Sequence, residues 1–179
     1  DSVSVDGTLT DVAINGGAGN DSFQIGQLYQ SERTAKVSDE DKGAQIAAND
    51  VFKTVRTLDG YVSEGVGAGT SLTLNGEEGE DNFNLLHSVG DTNMFGGADN
   101  DDFTINGLTY DKVAGKSGTV ENGAIGIDGG AGTDTMIMNG TRGDDTFVLT
   151  EDGLVSDIAA VEAVGVEETR VNAGDGDDL

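Results

Sequence analysis

Apolar residues recur at every second position in short runs along this chain: Val3-Ser-Val5, Phe23-Gln-Ile25, Leu72-Thr-Leu74, Phe103-Thr-Ile105 and Phe147-x-Leu149. A period of two places successive side chains on opposite faces of an extended backbone, so each run predicts a short strand with one apolar face. Asn-Gly or Asp-Gly follows an apolar residue at Val5-Asp6-Gly7, Leu58-Asp59-Gly60 and Ile105-Asn106-Gly107. These are turn dipeptides, because both residues tolerate positive φ. The pattern predicts an all-β chain of short strands, with each Gly-rich turn marking one corner of a coil. The least regular part lies between Ile25 and Leu72. Its Ser31–Asp50 stretch is rich in helix-favouring residues and predicts a loop or short helix, inside an insertion at about 27–50. Alternation returns over Asp50–Leu58 through Val51, Val55 and Leu58.

Six segments align without gaps. They start at Ile14, Leu74, Met94, Ile127, Met138 and Val171, and each sets an Asp seven residues after the opening apolar residue: Asp21, Asp81, Asp101, Asp134, Asp145 and Asp178. The shared pattern is apolar-x-Gly-Gly-x-Gly-x-Asp-x-apolar. Self-similarity of this kind is the mark of a repeat architecture. Gly76 and Gly96 are 20 apart, near one full coil, so the turns Gly76–Asp81 and Gly96–Asp101 are expected to stack on one side. Gly7 to Gly16 and Gly129 to Gly140 are spaced at about half a coil. The steps of 33 from Gly96 to Gly129 and from Gly140 to Ala173 imply coils carrying insertions. The whole of 1–179 reads as one solenoid segment.

Charge changes the picture most. There are 34 acidic residues against 9 basic ones, a formal net charge of −25. Nucleic acid, whose phosphates need clustered Lys and Arg, is excluded as a partner. Such an excess repels itself in a compact state, so divalent cations are expected to accompany the fold. Cys, Pro and Trp are absent, which excludes a disulfide scaffold and thiol-ligated metals. No apolar stretch reaches the roughly 20 residues of a membrane span. Asp1 is not a natural start, and the chain is expected to be an excerpt or repeat unit of something larger.

Calcium takes six to eight oxygens and mixes carboxylates with backbone carbonyls. A Gly-rich turn can aim carbonyls inward, and the Asp adds a carboxylate. One turn supplies too few oxygens, and a stacked turn from the next coil completes the shell. The motif resembles the nonapeptide calcium repeat of the RTX, or haemolysin-type, family, most closely at Gly16-Gly-Ala-Gly-Asn-Asp21-Ser-Phe23 and Gly129-Gly-Ala-Gly-Thr-Asp134-Thr-Met136. The resemblance implies a right-handed parallel β-helix or β-roll with calcium between neighbouring turns, in a secreted protein. Carried onto this chain, the candidate metal ligands are the six Asp residues above together with Gly17, Gly19, Gly79, Gly97, Asp99, Gly130, Gly132, Gly143, Gly174 and Gly176. Glu77, Asp99, Thr141 and Ala173 stand where the motif has Gly, and Arg142 is an unfavourable residue inside a cation-binding turn.

No catalytic constellation is evident. His87 is the single histidine, so a His-based zinc site or a Ser-His-Asp triad lacks partners. It is expected on a strand edge or at the surface. The expected function is a calcium-rigidified structural or adhesive module, extracellular or at a cell surface, with a surface carbohydrate or protein ligand. Tandem repetition or head-to-tail self-assembly is expected to extend it. The alternatives are the calcium-dependent secretion domain of a toxin or exoenzyme, and a carbohydrate-active β-helix.

Overall fold

Strands and turns make up everything the computed structural model describes, which is residues 1–33, 53–111 and 116–179. The expected loop or helix at Ser31–Asp50 falls almost wholly outside the described residues. Among the described residues there is no helix, and so none long and apolar enough to cross a membrane. The all-β expectation is met.

Two parallel ladders form the body. One sheet runs in the order β1 (Ser2–Val5), β4 (Ser22–Ile25), β10 (Asn82–Leu85), β12 (Asp102–Asn106), β14 (Thr135–Asn139) and β18 (Glu168–Asn172). The other contains β3 (Val12–Ala18), β9 (Ser71–Glu78), β11 (Asp91–Ala98), β13 (Ile125–Ala131) and β17 (Ala160–Val164), all parallel. It then ends in an antiparallel hairpin, β16 (Gly153–Ser156) against β17 and β15 (Phe147–Thr150) outermost. The chain alternates between the two ladders, and equivalent residues stack in register. Asp21, Asp81, Asp101 and Asp134 occupy successive layers at steps of 60, 20 and 33 residues.

The inward positions of both ladders join one hydrophobic cluster. Phe23, Phe83 and Phe103 are stacked, with ring centroids 4.9 and 4.8 Å apart and planes within about 12°. That spacing is the strand separation itself, so the repeat of an aromatic at one position creates an offset-stacked column. Beside it run Ile25, Leu85, Ile105 and Met138, faced by Leu72, Leu74, Met94, Ile125 and Ile127.

The long step between Asp21 and Asp81 is filled by β5 (Leu28–Tyr29), β6 (Thr54–Thr57), β7 (Gly60–Ser63) and β8 (Gly65–Val66). β5, β7 and β6 make a small antiparallel sheet, and β8 pairs with β2 (Gly7–Thr8). Val62 packs with Leu108 and Val120 in a second cluster, so the insertion folds against the longer loops of the later layers. Arg142 leaves its turn to pair with Asp59, a residue of this insertion.

Candidate metal centre

The six aligned turns divide into two columns. Gly16, Gly76, Gly96 and Gly129 open one corner, at the ends of β3, β9, β11 and β13, and carry Asp21, Asp81, Asp101 and Asp134. The other corner follows β14 and β18, where Gly140 and Ala173 stack and carry Asp145 and Asp178. The turns Gly76–Asp81 and Gly96–Asp101 are direct neighbours.

Each Asp of the first column ties its layer to the one before. The backbone N–H of Asp21 donates to Asp81 Oδ1 at 2.7 Å, that of Asp81 to Asp101 Oδ1 at 2.8 Å, and that of Asp101 to Asp134 Oδ1 at 2.8 Å. The second corner repeats this from Asp145 to Asp178 Oδ1 at 2.9 Å. The residue before the Asp bridges the other way. Glu80 N–H donates to Asn20 Oδ1, Thr133 N–H to Asn100 Oδ1, and Asp177 N–H to Asp144 Oδ1.

The first glycine of each turn makes room for the carboxylate. A Cβ on Gly16, Gly76, Gly96 or Gly129 would lie within 3.0 Å of Oδ2 of the Asp in its own turn. The same point on Gly76, Gly96 and Gly129 is as close to a glycine carbonyl of the next layer: Gly96, Gly129 and Gly165 respectively. Gly17, Gly19, Gly79, Gly97, Gly130, Gly174 and Gly176 have positive φ. At Gly132 a Cβ would run into the carbonyl of Asp99, so close approach requires glycine there. Gly143 instead donates to Thr141 Oγ1, 3.0 Å away. Asp99 is exposed.

The carboxylates are buried: Asp21, Asp81, Asp101, Asp134 and Asp145 expose 6% or less. Among the described residues, the Oδ2 atoms of Asp21, Asp81, Asp101 and Asp134 have no hydrogen-bond partner. Burial pushes the carboxyls of Asp81, Asp134 and Asp145 above the ordinary range, and that of Asp101 to about 6. Hydrogen bonds from backbone amides oppose this, and neighbouring carboxylates add to it. Like charges one strand spacing apart, about 4.8 Å, repel by roughly 3 kcal/mol at an effective dielectric constant of about 20. A column of four therefore calls for positive charge beside it.

Among the described residues no three His, Cys, Asp or Glu side chains converge on one point. A shell made of carboxylates alone is not what this corner offers. It offers one partnerless carboxylate oxygen per layer and a glycine carbonyl from the next layer. That mixed oxygen set suits calcium.

Three features escape the aligned motif. Glu167 takes the Asp position in the layer after Asp134, accepting the Asp134 N–H at Oε2 over 2.9 Å. Its turn, Val164-Gly165-Val166-Glu167, is three residues shorter than Asp128–Asp134, so a fixed spacing misses it. Asp1 also belongs to the column: it precedes Ser2, which pairs with Ser22, and its nitrogen lies 2.5 Å from Asp21 Oδ1. Finally, Asn84, Asn106, Asn139 and Asn172 form an amide ladder, each Nδ2 donating to the Oδ1 of the preceding member over 2.8–3.0 Å. The Asn-Gly dipeptides read as turns from sequence are partly rungs of this ladder.

The expectation for His87 is corrected. It is 2% exposed, and its Nδ1 lies 3.1 Å from Asn122 Oδ1. Cβ atoms on Gly26 and Gly65 would come within 3 Å of its backbone carbonyl, so the chain before β9 packs closely on the His87 backbone. No family model matches this chain, and neither does any curated protein or solved structure.

Proposed function

We propose that this chain is a calcium-binding structural or adhesive module of a secreted or cell-surface protein, built as a right-handed parallel β-helix. The observation that carries the reading is the column of buried Asp carboxylates with partnerless Oδ2 atoms, set beside glycine carbonyls of the next layer. The resemblance of the Gly-Gly-x-Gly-x-Asp turns to RTX repeats supports calcium as the ion. Parallel in-register ladders joined by crossovers support the solenoid, and the general handedness of such crossovers supports a right-handed one. Asp21, Asp81, Asp101 and Asp134 would hold calcium in one column, and Asp145 with Asp178 in the other, with the turn glycines lending carbonyls. The ion would supply the positive charge that the stacked carboxylates call for and would stiffen the stack. No catalysis is assigned to this module. As a layered stack it suits a spacer that lengthens by repetition, in tandem or between copies.

Thermal unfolding followed by circular dichroism tests this. Extracellular calcium modules bind with dissociation constants of roughly 10⁻⁴–10⁻³ M. At about 10 mM calcium, one site of about 10⁻⁴ M adds roughly 2.7 kcal/mol. The melting temperature should therefore rise by several degrees between excess chelator and 10 mM calcium. Identical melting curves under the two conditions would remove calcium from the account.

A further inference from the structure

Gly126 lies inside β13, between the buried Ile125 and Ile127, and so faces outward. A glycine inside a strand weakens it, and marks a bulge, a bend, or a place where another backbone or a ligand comes close. The strand is not bulged here: Gly126 pairs with Asn93 on one side and Glu162 on the other in unbroken register. Its φ is not in the left-handed region. A Cβ at this position would meet only the Asn93 side chain, with Oδ1 at 2.8 Å, and no backbone. Among the described residues neither a bulge, a left-handed φ nor a backbone contact accounts for this glycine, and the approach of a ligand is a reason that fits it.

The missing side chain opens a trench along β13. Asp91, Asn93 and Phe95 of β11 form one wall, and Glu162 and Val164 of β17 the other, with Asp128 at one end. Two adjoining hollows of about 190 and 220 Å³ share Asn93, Gly126 and Glu162. Phe95 lies in a row with Asn15, Asn75, Asp128 and Val164. Phe95 and Val164 are its two apolar members, exposed by 41% and 59%, and they flank Asp128. The exposed ring, with Val164 across the trench, offers an apolar platform. Asp128, Glu162 and the Asn93 amide share its hollow, Asp91 lines the adjoining one, and among the described residues no Lys or Arg lines either.

We propose that this trench binds one ring of a glycan built from amino sugars. The walls stand two strand spacings apart, roughly 10 Å, and admit a flat ring edge to edge. The ring's C–H face would lie on Phe95 and its hydroxyls would reach the Asn93 amide. Its ammonium group would pair with Glu162 and Asp128, an attraction of the cation–carboxylate kind. An acidic sugar is repelled by the same residues. The proposal does not depend on calcium filling the turns.

Calorimetric titration of the folded chain with a glucosamine hexamer, in millimolar calcium, tests it. Saturable binding with a dissociation constant below about 1 mM is expected. Phe95→Ala should weaken it at least tenfold, and Glu162→Gln should weaken it and flatten its salt dependence. Gly126→Thr fills the trench with a residue that strands favour. It should abolish binding while leaving the urea midpoint unchanged or higher. Absence of saturable heat, binding that survives Gly126→Thr, or tighter binding of pentalysine at the same residues would each overturn the assignment.

Discussion

Glu77 and Asp99 stand where other copies of the turn carry glycine, yet they hold φ of 82° and 76°. A non-glycine residue in that region costs of order 1–3 kcal/mol, offset in part by the flexibility glycine brings to the unfolded chain. Glu77→Gly and Asp99→Gly should each stabilise the fold by up to about 1 kcal/mol in urea unfolding without calcium. The neighbouring Gly96 is different in kind, because its Cβ would collide with the Asp101 carboxylate and the Gly129 carbonyl. Gly96→Ala should cost about 3 kcal/mol in the same assay, the upper range for overpacking. His87 supplies a pH dependence. Its burial lowers its pKa from the ordinary value, the hydrogen bond with Asn122 opposes this, and Lys116 lowers it further. The folded state thus resists a proton that the unfolded chain accepts. The contribution of His87 is complete above about pH 6.5 and is lost as the pH falls below it. Measured against the parent, His87→Gln should therefore gain relative stability between pH 7 and pH 5. An unchanged difference across that range would mean that the folded state takes up the proton as readily as the unfolded chain.

At the scale of elements, the aromatic column ties three layers together. Phe83 has a ring above and below it and is fully buried. Phe83→Ala should cost about 3–5 kcal/mol, the range for emptying a buried aromatic site, in guanidinium unfolding. The same column shows how much of the fold is legible in the amino-acid sequence. The equal spacing of Phe83 and Phe103, like that of Gly76 and Gly96, announces one coil per 20 residues, because stacking repeats a side chain at a fixed step. Two events hide the rest. The turn at Glu167 is three residues short, and it keeps the role of the Asp through a longer side chain. Phe147 and Leu149, two apart, read as one core face, yet only Phe147 packs against the core, while Val148 and Leu149 expose 52% and 59%. The run forms the outer arm of a hairpin at the edge of its sheet. His87 escapes the pattern for a related reason: its ring meets Asn122, in the non-repeating stretch between β12 and β13.

Across the whole molecule, the decisive quantity is the charge trapped in the corner column. Each buried carboxylate gains a hydrogen bond from the neighbouring layer, worth about 1.5–3 kcal/mol for a charged acceptor. It loses a comparable amount to its neighbours' repulsion, and more to desolvation of Oδ2. On the proposed function, cation binding between layers would reverse that balance and make stability a function of calcium. Asp101→Asn isolates this term, because the amide retains the Oδ1 acceptor that ties Asp81 to its layer while removing the charge. The most direct measurement is calcium titration calorimetry on the parent and on Asp101→Asn, paired with urea unfolding of both with and without calcium. The parent is expected to bind calcium and be stabilised by it, and Asp101→Asn to lose at least one site and much of that gain while matching or exceeding the parent's stability in chelator. A parent that takes up no calcium, or an Asn variant that binds and responds to it like the parent, would contradict the account.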